Sequence, residues 1–242
     1  MDSLSIVIPA YNEERRLGET LDQVLAYLDR NPRRFSEVVA VDDGSRDGTA
    51  RLIESYSARD NRVRLVSNPG NRGKGYAVRH GLTEARGEWI LFTDADLSSP
   101  IEELAKLWDA VTRTGAAIAI GSRALDRSLV GVHQPWARET AGRFFNVVMR
   151  SVTGLPFRDT QCGFKLFEGK AAKAVGSLQQ IEGFGFDVEL LFIAKALGFK
   201  IVEVPVRWND VAGTKVSFVR GLRAFLDPFE VRWYGLSGRY RR

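Results

Sequence analysis

The sequence contains few of the residues that build disulfides or zinc sites. Among its 242 residues there is one cysteine, Cys162, and there are two histidines, His80 and His133. A single cysteine cannot form a disulfide within its own chain, and so few histidine and cysteine side chains disfavour a zinc site. A bound metal would need oxygen ligands instead, which indicates Mg²⁺ or Mn²⁺.

Long hydrophobic stretches are also missing. No run approaches the roughly 18 apolar residues of a membrane-spanning helix. The N-terminal stretch MDSLSIVIPAYNEE lacks the basic and apolar segments of a secretory signal, and we therefore expect the protein to be cytoplasmic. Lysine and arginine outnumber aspartate and glutamate by 35 to 30, a modest excess that favours an anionic partner without distinguishing nucleotide, phospholipid and nucleic acid.

Hydrophobic patterning in the first half alternates between short strands and amphipathic helices. The pattern predicts strands at 4–10, 37–42, 62–68, 88–94 and 115–123, with helices at 14–30, 49–59, 75–85 and 99–111. Ser99, Pro100 and Glu102 have the pattern of a capping box at the start of the last helix. The alternation predicts an α/β fold with a mostly parallel sheet and helices on both faces.

The alternation stops after residue 123. Residues 124–165 are rich in arginine, glycine and aromatic side chains, after which the pattern predicts a helix at 186–197 and a strand at 199–208. The sequence has no low-complexity linker and no internal repeat. These features predict one compact domain with an elaborated C-terminal half.

Aspartates follow two of the predicted strands at the point where each strand ends. Asp42 and Asp43 close EVVAVDD, where a carboxylate can accept hydrogen bonds from a ribose or a base. The turn formed by Asp43 and Gly44 explains the first pair equally well without a ligand. Asp94 and Asp96, in the segment DAD, point the same way on an extended chain, so a divalent cation would relieve their repulsion and attach a diphosphate. A solvated loop or a helix cap is the alternative for this second pair.

Several motifs occur in an order and spacing that resemble a known family. They are SIVIPAYNEE, VDDGSRDGT, NRGKGYAVRHG, DAD and GSR. Together they resemble the family 2 glycosyltransferases, which have the GT-A nucleotide-sugar fold. RDTQCGFKLF and GFDVELLFIAKALGFKIVEVPVRW narrow the resemblance to the dolichyl-phosphate β-glucosyltransferases and their relatives that glycosylate polyprenyl phosphates. The resemblance extends from about residue 3 to about residue 217.

The resemblance implies a GT-A domain over residues 1–215, Rossmann-like, with a C-terminal acceptor side. Its nucleotide-sugar-binding half would be 1–123 and its acceptor half 124–215, followed by a basic amphipathic segment at 216–242. The implied donor-nucleotide site consists of Pro9, Tyr11, Glu13, Asp42, Asp43, Lys74 and Asp94. Asp96, together with Asp94, would bind Mg²⁺ or Mn²⁺ between the phosphates. Glycines on both sides of Lys74 indicate a close approach of backbone and ligand, with an ordinary surface lysine as the alternative.

The resemblance also implies the reaction, which is inverting transfer of a hexose to a polyprenyl phosphate, with glucose from UDP-glucose as the first expectation. Such an acceptor needs no general base because its second pKa is near 6, but it needs cations to position it. The candidates for contact with the acceptor phosphate are Arg123, Arg138, Arg143, Arg207 and Lys215.

The catalytic residues implied are Asp96, Arg123 and Asp159. Asp159 would orient the donor, assist the metal or hold an arginine, and a role as base is disfavoured because a carboxylate repels an incoming phosphate. Gln161 would contact sugar hydroxyls, and Cys162 is predicted to be a packing residue. The alternatives for substrate are GDP-mannose as donor and a soluble molecule as acceptor.

The C-terminal segment is basic and rich in aromatic residues. From residue 217 to the end it contains six arginines and two acidic residues, and Trp233, Tyr234 and Tyr240 suit a lipid–water boundary. Packing on the domain itself or on a second copy of the chain is the equal alternative, and Pro228 would interrupt a continuous helix. These features predict a peripheral protein on the inner face of the membrane, of undetermined oligomeric state.

A different class of function is a module that binds a nucleotide sugar or RNA without catalysis. Folds that bind RNA use paired aromatic side chains on a sheet or a G-x-x-G clamp, and DAD is neither of these. We therefore predict no nucleic-acid partner.

Overall fold

The structure is a computed structural model that describes residues 1–131, 147, 149–209 and 226–240. Three predicted acceptor residues, Arg138, Arg143 and Lys215, lie outside the described residues, as does the start of the C-terminal segment. The division of the chain at residues 123 and 215 stays a prediction.

A single seven-stranded sheet organises the described part of the chain. Its strands are β1 (Ser3–Ala10), β2 (Phe35–Asp42), β3 (Val63–Ser67), β4 (Trp89–Thr93), β5 (Ile118–Ser122), β6 (Phe164–Glu168) and β7 (Ile201–Pro205). The order across the sheet is β3-β2-β1-β4-β6-β5-β7. Among these strands β6 alone runs antiparallel to its neighbours, so the prediction of a mostly parallel sheet is confirmed.

Seven α-helices whose bounds lie in the described ranges flank this sheet, and residues 149–153 are helical as well. The seven helices are α1 (Leu17–Arg30), α2 (Thr49–Ser57), α3 (Lys74–Glu84), α4 (Leu104–Thr114), α5 (Gly169–Leu178), α6 (Phe186–Ala196) and α7 (Asp227–Leu236). Short 3₁₀ helices occupy Ile101–Glu103 and Arg127–Leu129. Within the described ranges no helix has both the length and the apolar character needed to cross a bilayer.

The hydrophobic core has two layers because successive side chains of a strand point to opposite faces of the sheet. Ile6 and Ile8 of β1 are buried on one face with side chains of α1, α2 and α4. Val7 is buried on the other face with side chains of α3, α5, α6 and α7. The prediction of helices on both faces is therefore confirmed.

The structure differs from the predicted elements at three places. β6 and α5 were not predicted, and α1 begins at Leu17 rather than at residue 14. The helix after DAD begins as a 3₁₀ turn without a side-chain cap. The predicted capping box is therefore wrong, because Glu102 instead pairs with Arg30 and the Ser99 hydroxyl lies 3.9 Å from the Cys162 sulfur.

The described end of the C-terminal segment packs on α6. Val231 is fully buried, and the Tyr240 hydroxyl donates a hydrogen bond of 2.7 Å to Glu189. Tyr240 is therefore a core residue, and its predicted place at a lipid boundary is wrong. Trp233, in contrast, is 65% exposed.

One edge of the sheet is suited to a binding site. β1 to β5 and β7 all end there, and the antiparallel β6 begins there. We call it the carboxyl edge. Ligands of open α/β sheets bind in this position.

Candidate active site

The loops after β1 and β2 are joined at the carboxyl edge. The Asn12 N–H donates to the Ser45 hydroxyl at 2.9 Å, and the Arg46 N–H donates to the Asn12 side-chain oxygen at 2.8 Å. The Glu13 N–H donates to the Thr49 hydroxyl at 2.8 Å. These bonds hold the two loops that carry most of the predicted nucleotide-binding residues.

Pro9 and Tyr11 lie at the end of β1. Pro9 is buried opposite Val41 of β2, beyond the point where β1 stops pairing with β4. Proline has no backbone N–H to donate, but no hydrogen bond to β4 is lost because β4 does not pair with β1 at this position. Tyr11 is half-buried and follows directly at the edge.

Glu13 forms an ion pair with Arg16. Arg16 Nη2 donates to Glu13 at 2.9 Å, and its Nε donates to the other carboxylate oxygen. This hydrogen bonding raises the pKa of Arg16, and the charges of Asp96 and Asp94 contribute to the rise. Arg16, just before α1, is therefore a cation close enough to interact with the charges of Asp94 and Asp96.

Asp43 fixes the loop between β3 and α3. Its buried carboxylate accepts hydrogen bonds from the Asn68 side chain at 2.7 Å, from the Arg72 N–H at 3.1 Å and from the Gly73 N–H at 2.8 Å. Asp42 is also buried and accepts from the backbone of the turn that follows it. Both predicted donor-site aspartates therefore have structural partners within the chain.

The glycines on either side of Lys74 are required by the protein backbone. A Cβ on Gly73, whose φ is 112°, would lie 2.4 Å from the Glu182 carbonyl oxygen. A Cβ on Gly75 would lie 2.4 Å from the Ile181 carbonyl oxygen. We predicted that the backbone at these glycines would lie close to another group. In the structure, that group consists of the Ile181 and Glu182 carbonyls of the same chain.

Lys74 connects this loop to the DAD segment. Its Nζ lies 2.7 Å from Asp94 Oδ1. Burial would lower the pKa of Lys74, but the charges of Asp94, Asp187 and Asp96 outweigh it and the pKa is raised. Lys74 is therefore a cation held by carboxylates.

Asp43 and Asp94 consequently face the same part of the carboxyl edge. The Gly73 N–H binds Asp43, and the next residue, Lys74, contacts Asp94. Adjacent residues of one loop thus bridge two acids that lie 51 positions apart in the sequence. Thr20 of α1 adds a further link by donating to the Ala95 carbonyl at 2.6 Å.

Gly163 makes room for Asp94. Gly163 precedes β6 and Asp94 follows β4, just beyond the last pair of these strands, and a Cβ on Gly163 would be 2.0 Å from Asp94 Oδ2. The Asp94 N–H also donates to the Gly163 carbonyl at 3.2 Å. Sequence reasoning included this glycine in a motif but did not assign it the role of accommodating Asp94.

Asp96 retains a carboxylate oxygen that suits a divalent cation. Its Oδ1 accepts from the Ser98 N–H at 3.0 Å and from the Ser98 hydroxyl at 2.9 Å. Within the described residues its Oδ2 makes no hydrogen bond, and no group of three acidic, histidine or cysteine side chains there could hold a metal. Mg²⁺ is commonly held by one or two carboxylates plus substrate phosphates and water, and Asp96 fits that arrangement.

Arg123 and Asp159 form a two-pronged ion pair. Arg123 Nε and Nη2 donate to the two Asp159 oxygens at 2.7 and 2.8 Å, and the Arg123 N–H also donates to this carboxylate at 3.0 Å. Burial would raise the pKa of Asp159, but Arg123 lowers it below the usual value. Among the roles considered for Asp159, this geometry is that of holding an arginine.

Strand β7 and the residues after it provide further contacts to this pair. Trp208 places its ring 5.4 Å from the Arg123 guanidinium carbon. Glu203 of β7 accepts from the Asp159 N–H at 2.8 Å. Gln161 donates its N–H to Asp159 at 3.2 Å and exposes its side chain.

Arg207 lies two residues beyond the end of β7, the strand that pairs with β5. Its Nε and its backbone N–H donate to the buried carboxylate of Glu103. This hydrogen bonding raises the pKa of Arg207. Half of its side chain remains exposed.

Cys162 packs as predicted. Its side chain is 1% exposed, and burial raises the pKa of its thiol to about 12. A neutral thiol of this kind is inert.

A buried ion pair behind the site was missed by sequence reasoning. Lys165 of β6 is fully buried and donates to Asp187 at the start of α6 and to the Cys162 carbonyl. Burial raises the pKa of Asp187, against the opposing effects of Lys165 and Lys74. The available signal was the presence of charged residues inside two apolar segments, FKLF and GFDVELL, because buried charges are almost always paired.

Comparison with known proteins supports the family suggested by the motifs. Residues 5–176 match the model of the glycosyl transferase family 2. A dolichyl-phosphate beta-glucosyltransferase of Trichomonas vaginalis is 35% identical over 97% of this chain and 72% of its own length. The human dolichyl-phosphate beta-glucosyltransferase is 38% identical over 98% of this chain and 77% of its own length.

Solved structures match the fold. Glucosyl-3-phosphoglycerate synthase from Mycobacterium tuberculosis in complex with UDP has a TM-score of 0.69 and 20% identity, covering 96% of this chain and 80% of that one. Mannosyl-3-phosphoglycerate synthase from Rubrobacter xylanophilus has a TM-score of 0.70 and 19% identity, covering 99% and 76%. Another structure of the Mycobacterium enzyme contains Mn²⁺, UDP-glucose and phosphoglyceric acid, with a TM-score of 0.70, 18% identity and coverage of 96% and 80%.

Proposed function

The chain belongs to glycosyl transferase family 2, and from this premise we propose that it transfers glucose from UDP-glucose to a dolichyl or other polyprenyl phosphate, with inversion at the anomeric carbon. The observation that carries the proposal is similarity to dolichyl-phosphate beta-glucosyltransferases over 97–98% of the chain. The arrangement of charges at the carboxyl edge is consistent with it.

The donor would bind where the loops after β1 to β4 meet. The buried Asp43 holds the loop of Lys74 in place, and the Lys74 ammonium group would turn from Asp94 to the donor diphosphate. The second carboxylate oxygen of Asp96, Oδ2, would hold Mg²⁺ or Mn²⁺ beside the donor diphosphate. When bound, such an ion neutralises the charge that develops on the leaving diphosphate.

The acceptor phosphate would be positioned by Arg123. Asp159 holds this guanidinium by its Nε and Nη2 atoms, which aligns its remaining donors, and a guanidinium binds phosphate with more directional specificity than an ammonium. Arg207 would contribute a second cation from the neighbouring strand. Arg138, Arg143 and Lys215 remain candidates from the sequence.

The proposed reaction is a direct displacement. A phosphate oxygen of the acceptor forms a bond to the anomeric carbon on the face opposite UDP, and the bond from that carbon to the diphosphate oxygen breaks with its electron pair. The products are glucosyl polyprenyl phosphate and UDP. No proton has to be removed from an ionised phosphate, so Asp159 can remain paired with Arg123 throughout.

A polyprenyl phosphate has its hydrocarbon chain in a bilayer. The proposed activity therefore requires the protein to work at a membrane surface, which agrees with the predicted peripheral position. The inner face of the membrane stays a prediction from the sequence.

The test is transfer of radiolabel from UDP-glucose to a short, water-dispersible polyprenyl phosphate in the presence of Mg²⁺ or Mn²⁺. UDP-galactose, UDP-GlcNAc and GDP-mannose serve as competing donors, and a chain with Asp96→Asn is the inactive control. We expect label in the organic phase with UDP-glucose as the best donor.

Other outcomes would overturn the proposal in distinguishable ways. Preference for GDP-mannose would make the protein a polyprenyl-phosphate mannose synthase. Label that stays in the aqueous phase with an added sugar would indicate a soluble acceptor. Binding of UDP-glucose without turnover would indicate a non-catalytic module.

A further inference from the structure

Helix α7 and the residue that precedes it expose a row of large apolar side chains. Leu226, Phe229, Trp233 and Leu236 are 66%, 54%, 65% and 69% exposed. Their spacing of three, four and three residues places them on one face of a helix. This outward row, from Leu226 to Leu236, is here called the α7 stripe.

The opposite face of α7 is fixed to the domain. Val231 is fully buried, and Gly235 lies so close to Phe192 of α6 that a Cβ would be 2.6 Å from its ring. Tyr240 anchors the end of the segment through its bond to Glu189. The domain therefore determines which way the α7 stripe faces.

Basic side chains accompany the stripe. Arg232 and Arg239 are exposed on and just beyond α7, where Glu230 is also exposed and Asp227 is partly buried. The final 26 residues contain six arginines and two acidic residues, and four of these arginines lie outside the described residues. Arginine near a membrane surface is attracted to anionic lipid head groups, and tryptophan is enriched at the boundary between lipid and water. An apolar row in a segment whose arginines outnumber its acidic residues by six to two is thus complementary to an anionic bilayer.

The stripe is small for a protein interface. From typical side-chain areas, its four residues expose on the order of 500 Å². Each partner in a standard protein–protein interface buries roughly 800 Å², so a second copy of the chain is a poorer fit than a lipid surface.

We propose that the α7 stripe inserts into the head-group region of an anionic membrane and holds the protein there. The inference rests on the proposed function, because that function needs an acceptor in a bilayer. Asp227, the first residue of α7, packs against Gly185 just before α6, and α6 carries the Asp187 that pairs behind the active site. Membrane contact through α7 would therefore keep the carboxyl edge close to the lipid surface.

The test is co-sedimentation of the full chain with vesicles that contain no polyprenyl phosphate. One set of vesicles is phosphatidylcholine alone, and the other contains about one third phosphatidylglycerol. We expect binding to the anionic vesicles, weakened by salt, and a loss of about tenfold or more in the double variant Phe229→Ser, Trp233→Ser. Leu197→Ser, which removes a partly exposed apolar residue at the end of α6, should bind like the unaltered chain.

Circular dichroism and thermal unfolding establish that each variant is folded. Equal vesicle binding by the double variant and the unaltered chain would overturn the inference, as would absence of binding to anionic vesicles. A dimer in solution that the double variant dissociates would assign the stripe to a second copy and also overturn it.

Glucosyl transfer separates this inference from the proposed function. With a short, soluble acceptor the double variant should keep its activity, and with a long-chain acceptor in vesicles it should lose about tenfold. Glucosyl transfer without vesicle binding would refute the role of the α7 stripe in membrane binding and leave the proposed function intact. Vesicle binding without any transfer would refute the proposed function alone.

Discussion

Replacement of Asp159 by asparagine should weaken both the folded state and the use of the acceptor. The carboxylate of Asp159 is 6% exposed and accepts hydrogen bonds from two guanidinium nitrogens of Arg123. An asparagine keeps one acceptor oxygen and presents an amide NH₂ to the other guanidinium nitrogen. Arg123 thus loses both a hydrogen bond and the charge that neutralises it.

The magnitude follows from the burial of the pair. Removing one partner of a buried ion pair costs about 3–5 kcal/mol, and a single charge-assisted hydrogen bond contributes about 1.5–3 kcal/mol. The Arg123 side chain is 32% exposed, so water compensates part of the loss. We expect a decrease of about 2–3 kcal/mol in the free energy of unfolding, which for a chain of this size lowers Tm by roughly 4–12 °C.

The effect should depend on pH in one direction. Arg123 holds the pKa of Asp159 below its ordinary value of 3.8, despite the opposite effect of burial. The stabilisation is therefore complete above about pH 5, and it is lost as the pH falls through the lowered pKa. The difference in Tm between the unaltered chain and Asp159→Asn should stay constant from pH 5 to 8 and narrow below about pH 4.

The kinetic assay varies the polyprenyl phosphate at saturating UDP-glucose. Misplacement of Arg123 should lower kcat/KM for the acceptor by about 100-fold, chiefly through KM. Asp109→Asn is the matched control, because Asp109 and Arg113 form an exposed pair on α4. Its loss should change stability by less than about 0.5 kcal/mol.

Two results would refute this reasoning. One is an Asp159→Asn variant with unaltered Tm and acceptor KM, which would show that the pair does not hold Arg123. The other is a folded variant with unaltered acceptor KM and no measurable kcat, which would make Asp159 a base.

Three further changes test other parts of the molecule. Asp96→Ala should lower kcat by about 100- to 1,000-fold and abolish the response to Mn²⁺ titration; an unchanged response would remove Asp96 from the metal site. Gly163→Ala should lower kcat/KM by about 100-fold, because the new Cβ would meet Asp94 Oδ2 at 2.0 Å, and full activity would show that Asp94 can move freely. Tyr240→Phe should cost about 1–2 kcal/mol in urea unfolding, because it removes a donor from the buried carboxylate of Glu189, and an unchanged midpoint would place that donor outside the stabilising contacts.

The part of the site at the ends of parallel strands was predictable from the sequence. The hydrophobic alternation indicated that β2 and β4 run in the same direction, and this places Asp43 and Asp94 at one edge. The hydrophobic periodicity of short segments is enough to predict this direction, because a strand that is followed by a helix and then by another strand forms a parallel pair.

The part that depends on the antiparallel strand was not predictable. β6 is five residues long and passes directly into α5, and its Lys165 interrupts an apolar run. Its position between β4 and β5 depends on contacts across more than 40 residues of sequence, which local patterns do not encode. The roles of Gly163 and Asp187 therefore became visible only in the structure.

Many of the charged residues that were assigned to ligands share a feature that sequence reasoning did not anticipate. Six of them form ion pairs within the chain, in the combinations Glu13–Arg16, Lys74–Asp94, Arg123–Asp159 and Arg207–Glu103. Unpaired charges converging at one edge would repel one another and lose hydration, so internal pairing is what allows cations and anions to gather there. Recognition of a diphosphate or a phosphate at this edge would then involve an exchange of partners, in which a cation such as Lys74 turns from its carboxylate to the ligand.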